Sequence, residues 1–418
     1  MITYIKINGF KSFHNFEMEF TPFTVIAGAN ASGKSNLFDA LMLLSYFTDM
    51  GVDVAFDRQR GLPSELFTQY DDGSSATEME FIVRFIVNDK VKVRNVEDTV
   101  ISTTEISLED REFQYEIKIK YLPNEPDNNI FIVRELFKTA QSDYVHFSTN
   151  DILASYQITA INIYGNTSDK IYFIAAKEEM RSWRMLKLSA EEMEKPQSAK
   201  FYGNRMLAYN GINLGAVLYR MKQEDDYNLV EVARRVQRFL PNFTAVDVEY
   251  RKENNDYLIR LTDRNKREYT SRVLSEGTLY VLAYSALLYN DLQNGVLCIE
   301  EPENGIHPAC IEEMMDLFKE FSEQVEGFPL RQVIMNTHSP VVVSHIHRWE
   351  EDKNASLWYA QLKHKVATIE DKKIGLTVTS ILPVVKNNEV DLSEFPNYSE
   401  AEKKYTLYHV KQYLETVK

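Results

Sequence analysis

Apolar and polar positions along this chain follow two different periods, and the changes between them outline its organisation. Ile2, Tyr4 and Ile5 lead through Gly9 to Phe10 in a strand-like pattern, and Phe16 to Phe20 repeats it. A short, largely apolar run, 23–27, enters a glycine-containing loop, after which Leu37, Leu41, Leu44 and Phe47 recur at helical spacing. Between 79 and 136 the runs MEFIVRFIV, FQYEIKIKYL and NIFIVREL alternate, with DNNI as a turn, which predicts an antiparallel sheet with one buried face, a lobe of its own. From about Lys177 to Leu240 the period turns helical, closing with NLVEVARRVQRFLP. A hairpin is expected from 246–250 and 257–261. Two buried strands, 295–299 and 332–336, flank a helical segment at 311–325, and strand, helix, strand in that order implies a parallel sheet. The expected class is α/β. Three regions are expected: 1–175, a helical insertion at 176–245, and 246–418.

Two segments carry chemistry at the ends of such strands. Gly28, Ala29, Asn30, Ala31, Ser32, Gly33, Lys34 and Ser35 fill every position of G-x-x-x-x-G-K-[ST] between an apolar strand and a helix. Glycines let backbone N–H groups close around phosphates at a helix end whose unpaired donors favour anions. Gly28, Asn30, Ser32, Gly33, Lys34, Ser35 and Asn36 are therefore the candidate nucleotide-binding residues. Lys34 is expected on the β- and γ-phosphates of ATP and the Ser35 hydroxyl on Mg²⁺. The second segment, 296–303, sends four apolar residues into Glu300 and Glu301. Burying adjacent carboxylates without a cation is costly, so Glu300 is assigned to Mg²⁺ through water. Glu301 is assigned to orient the attacking water and accept its proton. Successive strand side chains alternate, so the pair can face one site only if the chain turns, which Pro302 would allow.

Composition narrows the partners. Lys plus Arg is 47 and Asp plus Glu is 62, a net charge of −15, which argues against a surface that coats nucleic acid unselectively. The longest apolar stretch, 279–289, is interrupted by Ser285 and is far below the ~20 residues that span a bilayer. Two cysteines, Cys298 and Cys310, make neither a disulfide framework nor a four-cysteine zinc site. No membrane partner is expected, and the cytoplasm is the expected compartment.

Leu274-Ser275-Glu276-Gly277-Thr278 opens an apolar helix, and Ile334 to Pro340, IMNTHSP, ends a strand with His338. In chain order, the P-loop, LSEGT, CIEEPENGIHP and MNTHSP resemble the Walker A, signature, Walker B plus D-loop, and switch-histidine motifs of ABC-type ATPases. The resemblance is to the SMC, RecF, RecN and OLD-like heads. Within that set it is to compact AAA-family ATPases of bacterial anti-phage systems of the OLD, Septu and PARIS kind. It spans residues 28–340, with IKINGFKSF and NGINLGAVL also fitting, and leaves the C-terminal tail unmatched. It implies a P-loop NTPase of ABC/SMC-head type: a mixed, largely parallel core sheet, an antiparallel β lobe and a helical insertion. It makes Ser275 and Gly277 donors to ATP bound on a second copy, so that two copies sandwich the nucleotides; a higher oligomer stays open. His338 becomes the γ-phosphate sensor, beside Lys34 and Glu301 as catalytic residues. Glu276 stands where transporter signatures have glycine.

The function implied is a nucleotide-gated dimeric ATPase switch. Too few residues follow Pro340 for the Toprim nuclease domain of OLD-like enzymes, so a separate nuclease or toxin subunit is the expected effector. A RecF- or SMC-like DNA-repair ATPase that binds DNA directly is the alternative. His307 is open between an interface role and a packing one, and Gln141 and Gln157 both remain candidates for the Q-loop. The clusters Arg181, Arg184, Lys187 and Arg234, Arg235, Arg238 could touch phosphates or an acidic partner, but read first as solvated helix faces. Cys298 reads as a small buried hydrophobe.

Overall fold

The computed structural model describes residues 1–384 apart from 98–99, 123–129, 140–142, 149–156, 168–169, 204, 327, 347–348, 350–351 and 370–371. Two six-stranded sheets organise it. One is antiparallel, in the spatial order Phe16–Glu19, Ile2–Asn8, Glu78–Ile86, Glu112–Tyr121, Ile130–Thr139 and Asp143–Ser148. Its inner face is set by alternation: Met79, Phe81, Val83 and Phe85 are buried while the residues between them are not. Burying each such side chain stabilises the fold by roughly 1.5–3 kcal/mol. Phe113 fastens the layer, meeting Phe85 at 5.9 Å and Phe137 at 5.2 Å edge to face. This sheet is not the separate lobe that its sequence suggests. It takes in the two N-terminal strands, and its apolar face shares one core with helices Lys34–Tyr46 and Ile171–Ser182.

The second sheet runs Arg184–Leu186, Gly295–Glu300, Arg331–Thr337, Phe23–Gly28, Ala355–Ile369 and Lys372–Pro383, parallel except for the last. It is covered on both sides, as parallel sheets require. Ile26 faces the core shared with the antiparallel sheet, whereas Phe23, Val25 and Ala27 face a second core. That second core is built by helices Leu214–Glu224, Asp226–Phe239, Glu276–Tyr289 and Ile311–Phe321, with the expected hairpin, observed as Phe243–Arg251 and Asp256–Asp263. Helix Glu276–Tyr289 is buried almost all round, which explains its unbroken apolar run. Fully buried Gln332 ties the two sheets, accepting from the Ile2 N–H at 2.7 Å and donating to the carbonyls of Ile2 and Thr21.

Two features escaped the periodicity. Arg184–Leu186, within the segment read as helical, is an edge strand of the core sheet; three residues are too few to display a period. The unmatched tail supplies the sheet's last two strands, and Ala355–Ile369 pairs directly with the P-loop strand. Among the described residues no helix is long and apolar enough to cross a membrane.

Candidate functional site

The parallel strands end together at one rim, and the candidate chemistry gathers there. Strand Phe23–Gly28 enters the loop 29–33, and Gly33 caps helix Lys34–Tyr46 in the left-handed region at φ 88°. The glycine is required twice over: a Cβ on Gly33 would also come 1.8 Å from the Thr379 Oγ1. Thr379, on the tail strand, bonds the Ser12 hydroxyl at 2.6 Å and donates to the Ser32 carbonyl at 3.2 Å, while Asn36 reaches Ser12 at 2.8 Å. The tail thus braces the phosphate loop from behind.

Lys34 is buried, and its ammonium donates to the carbonyls of Gly28 at 2.7 Å and Ala29 at 2.8 Å. Burial lowers its pKa, against the opposing pull of Glu301, Glu303 and Glu300. The Ser35 hydroxyl donates to Glu300 Oε1, and Lys187 lies 3.0 Å from Glu300 Oε2. Burial by itself would raise the Glu300 carboxyl, but Ser35, Lys187 and the charge of Arg60 hold it below its ordinary value.

Both carboxylates face this cleft, and the turn that permits it comes at Glu301 itself, one residue before the expected Pro302. Glu301 has φ 45°, a conformation that costs a non-glycine residue on the order of 1–3 kcal/mol. Its N–H donates to the Asn336 side chain at 2.9 Å and main chain at 3.2 Å, which holds it there. Glu301 accepts from Asn304 at 3.0 Å and lies 3.2 Å from His338 Nδ1. Behind the pair, buried Glu303 accepts from the Thr337 hydroxyl and, at 3.2 Å, from the His338 N–H. Burial raises its pKa.

The resulting cleft measures about 760 Å³ and brings together Asn30, Ser32, Gly33, Lys34, Ser35, Asn36, Glu300 and Glu301. Gly28 contributes its carbonyl from beneath. His338 lines an adjoining hollow of about 510 Å³ that shares Asn30 with the cleft. Ser275 and Gly277 do not line the cleft of their own chain, although Tyr280 and Tyr284 of the same helix do. Ser275 caps that helix by accepting from the Thr278 N–H, and a Cβ on Gly277 would come 2.5 Å from the Gly305 carbonyl.

Several participants were not legible. Lys11 and Arg60 line the cleft while sharing Asp39, at 2.6 and 2.8 Å. Lys187 faces Glu300 and is not merely a solvated residue; Arg235 is buried between Glu313 and Glu320. Lys11 in GFKSF was the one signal available from the motifs. His307 caps the short 3-10 turn Pro308–Cys310, accepting from the Ala309 N–H at 3.2 Å. Gln157 uses its carbonyl to accept from Val52 at 2.8 Å and does not line the cleft; Gln141 lies outside the described residues. Cys298 is fully buried, and burial pushes its thiol far up from the ordinary value.

Chemically, a hydroxyl touching a carboxylate at the mouth of a glycine loop suits a hard divalent cation that keeps water and phosphate as its other ligands. The Ser35 hydroxyl and the Glu300 carboxylate, which touch each other there, are oxygen donors of the kind an open Mg²⁺ site uses. The four cations Lys11, Lys34, Arg60 and Lys187 can receive phosphates.

The fold is a P-loop α/β architecture of the kind seen in SMC head domains. The chain belongs to the family described as "AAA domain, putative AbiEii toxin, Type IV TA system", which matches residues 23–344. Among solved structures it is similar to the SmcHead bound to the C-winged helix domain of ScpA, with 15% identity, a TM-score of 0.55, and coverage of 91% of this chain and 98% of that one. It is also similar to the Smc head domain with a coiled coil and joint from Pyrococcus yayanosii, at 12% identity, TM-score 0.50 and 99% coverage of both chains. No curated protein matches it.

Proposed function

We propose that this chain binds and hydrolyses ATP and acts as a nucleotide-gated dimeric switch. The observation that carries the reading is the meeting of Ser35, Glu300, Lys34 and Glu301 at one cleft at the mouth of the glycine loop. Lys34 leaves the carbonyls of Gly28 and Ala29 for the β- and γ-phosphates, and the loop N–H groups hold the phosphate oxygens. Mg²⁺, held by Ser35 and Glu300, would neutralise charge on the β- and γ-oxygens. Glu301 orients a water and takes its proton as the water oxygen bonds the γ-phosphorus and the bond to the ADP oxygen breaks. Asn304 donates to that carboxylate, and Asn336 holds the backbone that carries it. His338 reports the γ-phosphate through a ring nitrogen. Ser275 and Gly277, outside their own chain's cleft, are free to complete the cleft of a second copy. ATP then adds contacts only in the closed pair, and hydrolysis removes them.

Lys34→Ala should abolish ATP binding at the P-loop, whereas Glu301→Gln should bind ATP there, accumulate as dimer by mass measurement and turn over slowly. Unaltered phosphate release by both purified variants would defeat the assignment.

For the role of the switch, we infer a sensor or scaffold of a bacterial anti-phage system governing a separate nuclease or toxin subunit. The toxin–antitoxin description of the family supports it. A Toprim, HNH or RloB-like gene beside this one would support it further, and a solitary gene among DNA-repair loci would count against it. The likeness to an SMC head captured with ScpA favours a second reading, a chromosome-maintenance or DNA-repair ATPase. ATP hydrolysis stimulated by DNA in a salt-sensitive way would select that reading.

A further inference from the structure

A second cleft, of about 370 Å³, opens between the C-terminal end of helix Lys34–Tyr46, the edge strand Arg184–Leu186 and the segment around Tyr209. It shares no lining residue with the cleft at the P-loop. Three guanidinium groups, those of Arg58, Arg181 and Arg184, line it against one carboxylate, Asp49. That carboxylate is already engaged, 3.0 Å from Arg181 Nε and 3.7 Å from Lys177 Nζ. Arg58 meets the Tyr46 ring at 5.7 Å and forms no ion pair with a described residue. The Arg184 side chain has neither an ion pair nor a hydrogen bond with any described residue, and its Nε is buried. Burial lowers its pKa, and the like charge of Arg181 adds to the effect.

A guanidinium held half out of water without an acceptor is destabilising unless something else repays the desolvation. In a chain of net charge −15, three arginines around one occupied carboxylate are not a by-product of general basicity. Arginine forks match the oxygens of a phosphate. Beside them Tyr209, 52% exposed, offers a ring face of the kind on which bases stack. A carboxylate ligand would use the arginines and leave the ring idle; a nucleotide uses both.

We propose that this cleft is a second phosphate-and-base site, taking one nucleotide unit with its phosphate on Arg184 and Arg58 and its base against Tyr209. The unit comes either as a free mononucleotide or as part of an unpaired nucleic-acid strand. The site is independent of the P-loop reading.

The test uses the full chain carrying Lys34→Ala, so that the P-loop contributes least. AMP is titrated by calorimetry, and a short fluorescein-labelled oligothymidylate by anisotropy. At least one should bind, and Arg184→Gln and Arg58→Gln should each weaken that binding by about ten- to a hundredfold. Strand binding alone assigns nucleic acid as the source, and AMP binding alone assigns free nucleotide. With the native P-loop, Arg184→Gln should keep its ATP affinity, so a failure of one site is distinguishable from a failure of the other. Should Arg184→Gln fold poorly, Arg58→Gln decides. No binding of either probe, or binding that survives both arginine substitutions, overturns the proposal.

Discussion

Glu135 in the antiparallel sheet and Glu303 beside the parallel one are both almost wholly buried, at 2% and 7% exposure, yet their surroundings differ. Both Glu135 oxygens accept from the Ala160 N–H at 2.9 Å, and Tyr115 donates its hydroxyl at 2.8 Å. Glu303 satisfies one oxygen through Thr337 and His338, and the other has no hydrogen-bond donor. A carboxylate fully satisfied from within is a fastening; it ties helix Ala160–Tyr164 to the sheet. One left short of donors at the common end of parallel strands belongs to a rim where Lys34, Glu301 and His338 also converge. Antiparallel strands alternate their ends and close their own polar groups, whereas parallel strands deliver all their C-terminal ends to one place.

If the two sheets divide stability from chemistry in this way, substitutions should separate along the same line. Phe113→Ala removes the ring packed on Phe85 and Phe137 and should cost about 3–5 kcal/mol of unfolding free energy. Nucleotide affinity of the folded protein should stay the same in calorimetry. A large loss of affinity at unchanged stability would break the division. Gly33→Ala should do the reverse. A left-handed alanine whose methyl overlaps Thr379 costs about 2–5 kcal/mol, expressed as a displaced loop and a nucleotide affinity lower by at least about tenfold.

Glu135 gives the next largest effect. Burial raises its pKa from the ordinary 4.5 to about 7, despite the donors of Ala160 and Tyr115. The folded state therefore holds the proton more tightly than the unfolded one. The stability this gives is present at low pH and is lost as pH rises from about 4.5 through 7. Glu135→Gln should flatten the decline in unfolding free energy between about pH 5 and pH 8 by on the order of 2–3 kcal/mol, measured by denaturant titration. A parallel shift with the slope intact would place the proton elsewhere. The smallest effect is expected at Cys298, inside the strand that carries Glu300. Cys298→Ala deletes one buried heavy atom, as Ile→Val does, and should cost about 0.5–1.5 kcal/mol while sparing phosphate release.

Much of the rim was legible because its chemistry is local. Residues 28–35 must close a loop round phosphates within eight positions, and a strand that ends in Glu300 and Glu301 carries its carboxylates with it. That Lys11, Arg60 and Lys187 join them was not, since they come from three separate segments with no shared spacing, although Lys187 already stood out in a basic cluster. The turn at Glu301 depends on Asn336, a residue of a neighbouring strand. The tail was unreadable for the same reason: Thr379 matters through its contact with Gly33, hundreds of positions away.

The sequence by itself determined the α/β class, the phosphate loop, the acidic strand end and the order of the motifs, because periodicity and loop chemistry act between near neighbours. Only the tertiary structure decided that the N-terminal strands complete the antiparallel sheet and that the tail braces the P-loop. It also decided that Ser275 lies outside its own chain's cleft and that Arg184 stands without a partner. Those outcomes depend on which distant surfaces are buried against one another, and burial is a property of the packed chain as a whole.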